Sequence, residues 1–169
     1  MLDRLRRRSV VALAFLVGGG GFAYDADGAS PADAQIAVIA SNQVSSTAID
    51  DGTLREIYLK RVFLDSAGRH YVPVNLPPSH RLRSAFLFAV LHMNASHLQA
   101  YWDRQYFQGI SPPYVLGSQA AVVRFVAKTP GAIGYVQRCF VTPDVRVILW
   151  LTVSEPEDEL ADKCPDAQR

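Results

Sequence analysis

The chain has 169 residues, with 17 basic and 16 acidic side chains and a formal net charge of +1. That balance offers no basic excess and no basic stripe interleaved with aromatics, which excludes a nucleic-acid partner. At 49% hydrophobic and 20% charged, the composition is that of a globular chain and excludes wholesale disorder.

Arg4, Arg6, Arg7 and Arg8 precede an apolar, Gly-rich run from Val10 to Ala23. A positive n-region, a short apolar h-region and small residues at Gly21 and Ala23 predict an export signal over residues 1–23, cleaved after Ala23. The run is about fourteen residues, shorter than the roughly 20 that a membrane-spanning helix needs, and a retained anchor is the alternative reading. Arg7-Arg8 also admits a twin-arginine route, although the residues after it fit that route poorly. The expected location is the periplasm. Removing the signal would leave about 146 residues, one domain able to bury its own core, and would move the formal charge to −2.

Residues 24–34, rich in Asp, Ala, Gly and Ser, read as a linker, followed by a domain over 35–153 and an acidic tail over 154–169. Ile36, Val38 and Ile39 predict a buried strand from Gln35 to Ser41, and a polar loop runs on to Ser46. Asp50 or Thr53 caps the next helix, Thr53 and Glu56 form a capping box, and Leu54, Ile57 and Tyr58 make the apolar face. Tyr71 to Leu76 reads as a strand closed by Pro77-Pro78. After Ser79 the spacing of Leu82, Ala85, Phe86, Ala89 and Val90 is helical.

Asn94 caps a further helix carrying Leu98, Tyr101, Trp102 and Tyr106, ended by Gly109 to Pro113. Val115-Leu116 leads through Gly117-Ser118 into a helix with Val122, Phe125 and Val126, which Pro130-Gly131 stops. Strands follow over Ala132 to Val136 and Val145 to Val153. Strands alternating with helices predict an α/β or mixed fold. Tyr101, Trp102, Phe107 and Tyr135 are expected in the core, and Arg104 in a surface ion pair.

Cys139 and Cys164 are the only cysteines, and in an oxidising compartment they are expected to pair, tying the acidic tail to the domain. Such a loop contributes roughly 3–4 kcal/mol in the chain-entropy picture. His70, His80, His92 and His97 lack metal-ligand spacing and an accompanying carboxylate or cysteine cluster, so neither metal nor cofactor is expected. Leu116-Gly117-Ser118-Gln119-Ala120 supplies half of a nucleophile elbow without its closing glycine or a placed His/Asp pair. The chain is therefore not expected to be an enzyme.

Several segments occur together in order. They are Asn42 to Ser46, Leu54-Arg55-Glu56-Ile57-Tyr58-Leu59, Val72-Pro73-Val74, Arg83-Ser84-Ala85-Phe86, Tyr101-Trp102-Asp103-Arg104 with Phe107 and Gly109, Pro112-Pro113, and Pro130-Gly131-Ala132-Ile133-Gly134-Tyr135-Val136. In this order, over roughly Ile36 to Val136, the chain resembles the periplasmic phosphate-binding-protein-like family of ABC-transporter substrate-binding proteins, in particular its short single-domain members. The resemblance implies a type II periplasmic-binding-protein topology, a mixed sheet flanked by helices, reduced to little more than one lobe. It also implies capture of a small anion, phosphate by default, at loop-to-helix junctions, for an inner-membrane ABC permease or another envelope protein.

Full phosphate receptors of this family carry an Arg and then a Ser-Gly-Thr triplet before the second helix; this chain has Leu76 and then His80-Arg81-Leu82. The anion contacts would be rebuilt from Ser79, His80, Arg81 and Arg83, with Ser118 at the later junction and Ser41 and Ser45 from the first loop. Ser79 and Ser118 also read simply as N-caps, worth about 1 kcal/mol each, and a cap and a ligand contact can coexist. The competing function is an interaction or scaffold module that keeps the fold and has lost the ligand.

Overall fold

The computed structural model describes residues 33–42 and 49–156. The export signal, most of the linker, Ser45 and Cys164 lie outside the described residues.

In chain order the elements are β1 (Asp33–Ser41), α1 (Asp51–Tyr58), β2 (Val72–Asn75), α2 (Arg81–Phe86), α3 (Ala95–Tyr106), β3 (Tyr114–Val115), α4 (Gln119–Lys128), β4 (Ala132–Gln137) and β5 (Val145–Pro156). α2 continues into a π-helical stretch, Leu87–Leu91, and a 3₁₀ turn, Arg138–Phe140, follows β4. The strands form one sheet in the order β3-β2-β4-β1-β5. β2 runs parallel to both β3 and β4, whereas β1 is antiparallel to β4 and to β5. β1 starts at Asp33 and β5 extends to Pro156, so the sheet takes two residues from the expected linker and three from the expected tail.

Helices cover both faces. Gly134 of β4 lies against Val122 and Val126 of α4, while its neighbour Tyr135 points to the opposite face. There Tyr135 stacks on Phe86 of α2, with ring centroids 3.9 Å apart and planes 5° from parallel, and Tyr58 of α1 packs beside both. β4 is therefore buried along its whole length, as a central strand between two helical layers must be. The Tyr58 hydroxyl donates to the Val74 carbonyl at 3.0 Å, locking α1 onto β2. α3 docks on the end of α1: the Tyr101 hydroxyl donates to the Leu59 carbonyl at 2.7 Å, with the Arg61 guanidinium over the Tyr101 ring.

The local signals resolve as follows. Asp50, not Thr53, caps α1, its carboxylate accepting from the Thr53 amide at 2.6 Å. The helix thus starts two residues before Thr53, and the Thr53–Glu56 capping box is not formed. Asn94 caps α3 by accepting from the His97 amide at 2.9 Å, and Ser118 caps α4 by accepting from the Ala121 amide at 3.2 Å. His92, with φ 52°, turns the chain out of the π-helical stretch. Phe107 is 88% exposed, against the expectation of a core residue; it sits just past the last turn of α3, beyond the face that Leu98, Tyr101 and Trp102 bury. Arg104 is exposed and makes no ion pair among the described residues.

Candidate functional site

The C-terminal ends of the parallel strands β2, β3 and β4 share one edge of the sheet, and α2 and α4 begin there. In open α/β sheets the crevice outside the strand C-termini is where ligands bind.

A buried polar network builds this edge. Asn75, the last residue of β2, accepts on its side-chain oxygen from the Tyr135 hydroxyl at 2.5 Å, and the Leu76 amide donates back to that hydroxyl at 3.4 Å. The Leu116 amide donates to the Asn75 carbonyl at 2.8 Å, which carries β3 along β2. Gln119, at the start of α4, exchanges two hydrogen bonds with Gln137, at the end of β4. Its Nε2 donates to Gln137 Oε1 and its Oε1 accepts from the Gln137 amide, both at 2.7 Å. Asn75, Gln119 and Gln137 are all buried, and these bonds satisfy groups that would otherwise cost about 1–3 kcal/mol each.

Arg83 is the half-buried charged group placed at this edge among the described residues. It sits on α2, and its Nη1 donates to the Leu76 carbonyl at 2.7 Å, fixing the guanidinium beside the last turn of β2. Burial lowers its proton affinity below the ordinary arginine value, with a smaller opposing effect from Tyr135, and an arginine in such a place still stays protonated. No carboxylate pairs with it among the described residues. A desolvated cation without a counter-charge gains from an anion placed against it.

The expected site residues separate into groups. Ser118 caps α4 at this edge; its Oγ accepts from Ala121, which leaves the hydroxyl proton available for donation. His80, Arg81 and Arg83 also reach it. The α2 cap is His80, whose Nδ1 accepts from the Leu82 amide at 3.2 Å, and not Ser79. Ser79 is exposed in the turn after Pro77-Pro78: the His80 amide folds back onto the Pro77 carbonyl at 2.9 Å, which starts the helix one residue later than the serine suggests.

Ser41 is not brought to this edge. Because β1 is antiparallel to β4, Ile36 faces Gln137 while Ala40 faces Ile133, so β1 delivers Ser41 to the far end of the sheet. Ser41 lies five positions beyond Ile36, about 17 Å along the strand. A cavity of about 590 Å³ runs along α4 from Ala120 to Lys128, with Asn42, Phe140 and Thr142 also in its wall; Arg83 does not line it. Asn75, Gln119, Tyr135 and Gln137 were not anticipated as site residues. Asn75 and Gln137 carry only the signal of a polar residue closing an apolar strand, Gln119 and Tyr135 carry no site signal of their own, and the pairings span 18 and 60 positions. Among the described residues no group of three His, Cys, Asp or Glu is placed to hold a metal ion.

No protein-family model and no curated protein matches this chain. Solved structures do match its fold. A Clostridium perfringens protein named as a phosphate ABC transporter substrate-binding protein and solved with bound phosphate superposes with a TM-score of 0.56 at 18% identity, covering 68% of this chain and 44% of its own. An ABC-type phosphate transport receptor from Vibrio cholerae gives 0.54 at 14%, covering 68% and 46%. PstS from Borrelia burgdorferi gives 0.50 at 20%, covering 64% and 42%. The chain has the periplasmic-binding-protein-like fold. It spans less than half the length of each of these proteins, about one lobe of this binding-protein-like architecture.

Proposed function

We propose that this chain is an exported, non-enzymatic substrate-binding-like protein that captures a small anion, phosphate by default, for ABC-type uptake or sensing in the periplasm. The observation that carries the reading is Arg83: half-buried, without a carboxylate partner among the described residues, and fixed at the strand C-termini of a fold shared with a phosphate-bound structure. In this reading the free side of the guanidinium supplies charge-assisted bonds, the Ser118 hydroxyl donates from the start of α4, and Ser79, His80 and Arg81 line the rim. Ser41 has no part in it, since it lies at the far end of the sheet. A single lobe leaves one side of the anion in water, where salt screens the attraction, so affinity should fall as ionic strength rises.

The test is calorimetric titration of phosphate into the purified protein, with sulfate as control. Arg83→Gln should weaken binding about 10-fold or more, since a hydrogen bond to a charged group is worth roughly 1.5–3 kcal/mol. A flat titration of folded wild-type protein, or unchanged affinity in Arg83→Gln, would overturn the assignment.

A second reading, an interaction module that has lost its ligand, draws support from the exposed aromatics Tyr106 and Phe107 and from the exposed edge strand Tyr114–Val115. Crosslinking in envelope extracts distinguishes the two: a membrane partner that phosphate does not displace favours the module. The bond between Cys139 and Cys164 belongs to the same proposal of an exported protein. Equal gel mobility with and without reductant, together with two titratable thiols in the unfolded chain, would remove it.

A further inference from the structure

Arg83 also lines a cavity of about 370 Å³ between α2, its π-helical continuation and α3. Its other walls are mainly apolar: Leu87, Phe88, Met93, Leu98 and Trp102. The volume falls in the range of small-molecule pockets, about 300–1,000 Å³. At roughly 30 Å³ per water it would hold about a dozen waters, far more than one small oxyanion displaces.

Besides Ser84, the polar side chains on its wall other than Arg83 are engaged elsewhere. The Asn94 side-chain oxygen caps α3, and the Gln99 side-chain amide donates to Asp103 at 2.7 Å. The cavity therefore combines one cation that lacks a carboxylate partner among the described residues with a mainly apolar wall. Inorganic phosphate would use the first and leave the second wet.

We infer that the preferred ligand is an amphiphilic anion, an organic phosphate or phosphonate whose head group meets Arg83 and whose apolar substituent enters the cavity between α2 and α3. The inference rests on the anion-binding reading above and narrows its substrate class. The head group supplies the counter-charge, and the substituent replaces water against Phe88, Met93 and the edge of Trp102, where apolar burial is favourable. Ala95, exposed on the cavity wall in the first turn of α3, is a position from which a larger side chain can fill it while Arg83 itself is kept. Phe88, 77% exposed, is a wall residue whose truncation leaves the core intact.

The experiment is parallel calorimetric titration with phenyl phosphate, inorganic phosphate and benzyl alcohol, into wild type, Ala95→Trp and Phe88→Ala, with folding checked by circular dichroism. Phenyl phosphate should bind wild type at least tenfold more tightly than phosphate, which is 1.4 kcal/mol. Ala95→Trp should abolish that advantage and Phe88→Ala should reduce it, while phosphate affinity is unchanged in both. Equal affinity for the two anions would overturn the inference and leave the anion site standing. Benzyl alcohol binding as tightly as phenyl phosphate, or an advantage that survives in both variants, would also overturn it. If neither anion binds folded wild type, the anion-binding reading itself fails.

Discussion

Replacing Tyr135 by Phe removes one oxygen from the centre of the candidate site and leaves the ring where it is. The stack on Phe86 and the packing against Tyr58 do not depend on the hydroxyl. What disappears is a donor to Asn75 Oδ1 and an acceptor for the Leu76 amide, both at buried positions. One net hydrogen bond is worth about 1 kcal/mol, and a buried group left unsatisfied costs about 1–3 kcal/mol, so the variant should lose about 2–4 kcal/mol. For a domain of this size that corresponds to roughly 4–16 °C in Tm. Urea unfolding followed by circular dichroism measures it, with an unchanged m-value as the sign that the native state alone was altered. A loss below about 0.5 kcal/mol would refute the reasoning, because Asn75 and Leu76 would then have another way to be satisfied.

The same tyrosines set the alkaline limit. Burial pushes the Tyr58 and Tyr135 phenols above their ordinary value of 10.0, so each stays protonated in the folded chain at a pH where the unfolded chain ionises. Their contribution is fully present below pH 10 and is lost as pH rises above it; Tyr135→Phe should show a smaller alkaline loss than wild type in urea midpoints taken from pH 8 to 11. Ser118→Ala should cost about 1 kcal/mol in denaturant unfolding through loss of the α4 cap, whereas Ser79→Ala, at an exposed turn position, should stay within about 0.5 kcal/mol. Gly131→Ala should destabilise by about 2 kcal/mol or more in the same assay. Gly131 has φ 79°, a Cβ there would collide with the His70 carbonyl, and its own carbonyl accepts from the Val72 amide to join β2 to β4.

The expected export signal is written in the first 23 residues and needs no fold to be read. The elements of the domain are legible for a related reason: caps and periodicity are interactions among residues within a few positions. Asn94 and Ser118 accept from amides three residues on, and Leu54, Ile57 and Tyr58 bury one helical face whatever lies opposite. Even the one-residue error between Ser79 and His80 is local, since it turns on how the Pro77 carbonyl closes the preceding turn.

The site was less legible. No local signal says that β1 runs antiparallel to β4, yet that direction alone removes Ser41 from the edge where Ser118 and Arg83 lie. Nothing in a polar residue at the end of a strand names its partner. The Asn75–Tyr135 and Gln119–Gln137 pairs exist because strand order brings distant chain ends together, and their geometry is set by packing. Arginine at 83 was visible as a charge, but its loss of water and its place on a cavity wall are tertiary facts. The sequence by itself determined which segments become helix and strand, because short-range hydrogen bonds and apolar spacing decide that. Strand direction, burial and the pairing of remote polar groups decided where a ligand could sit, and only the folded chain contains them.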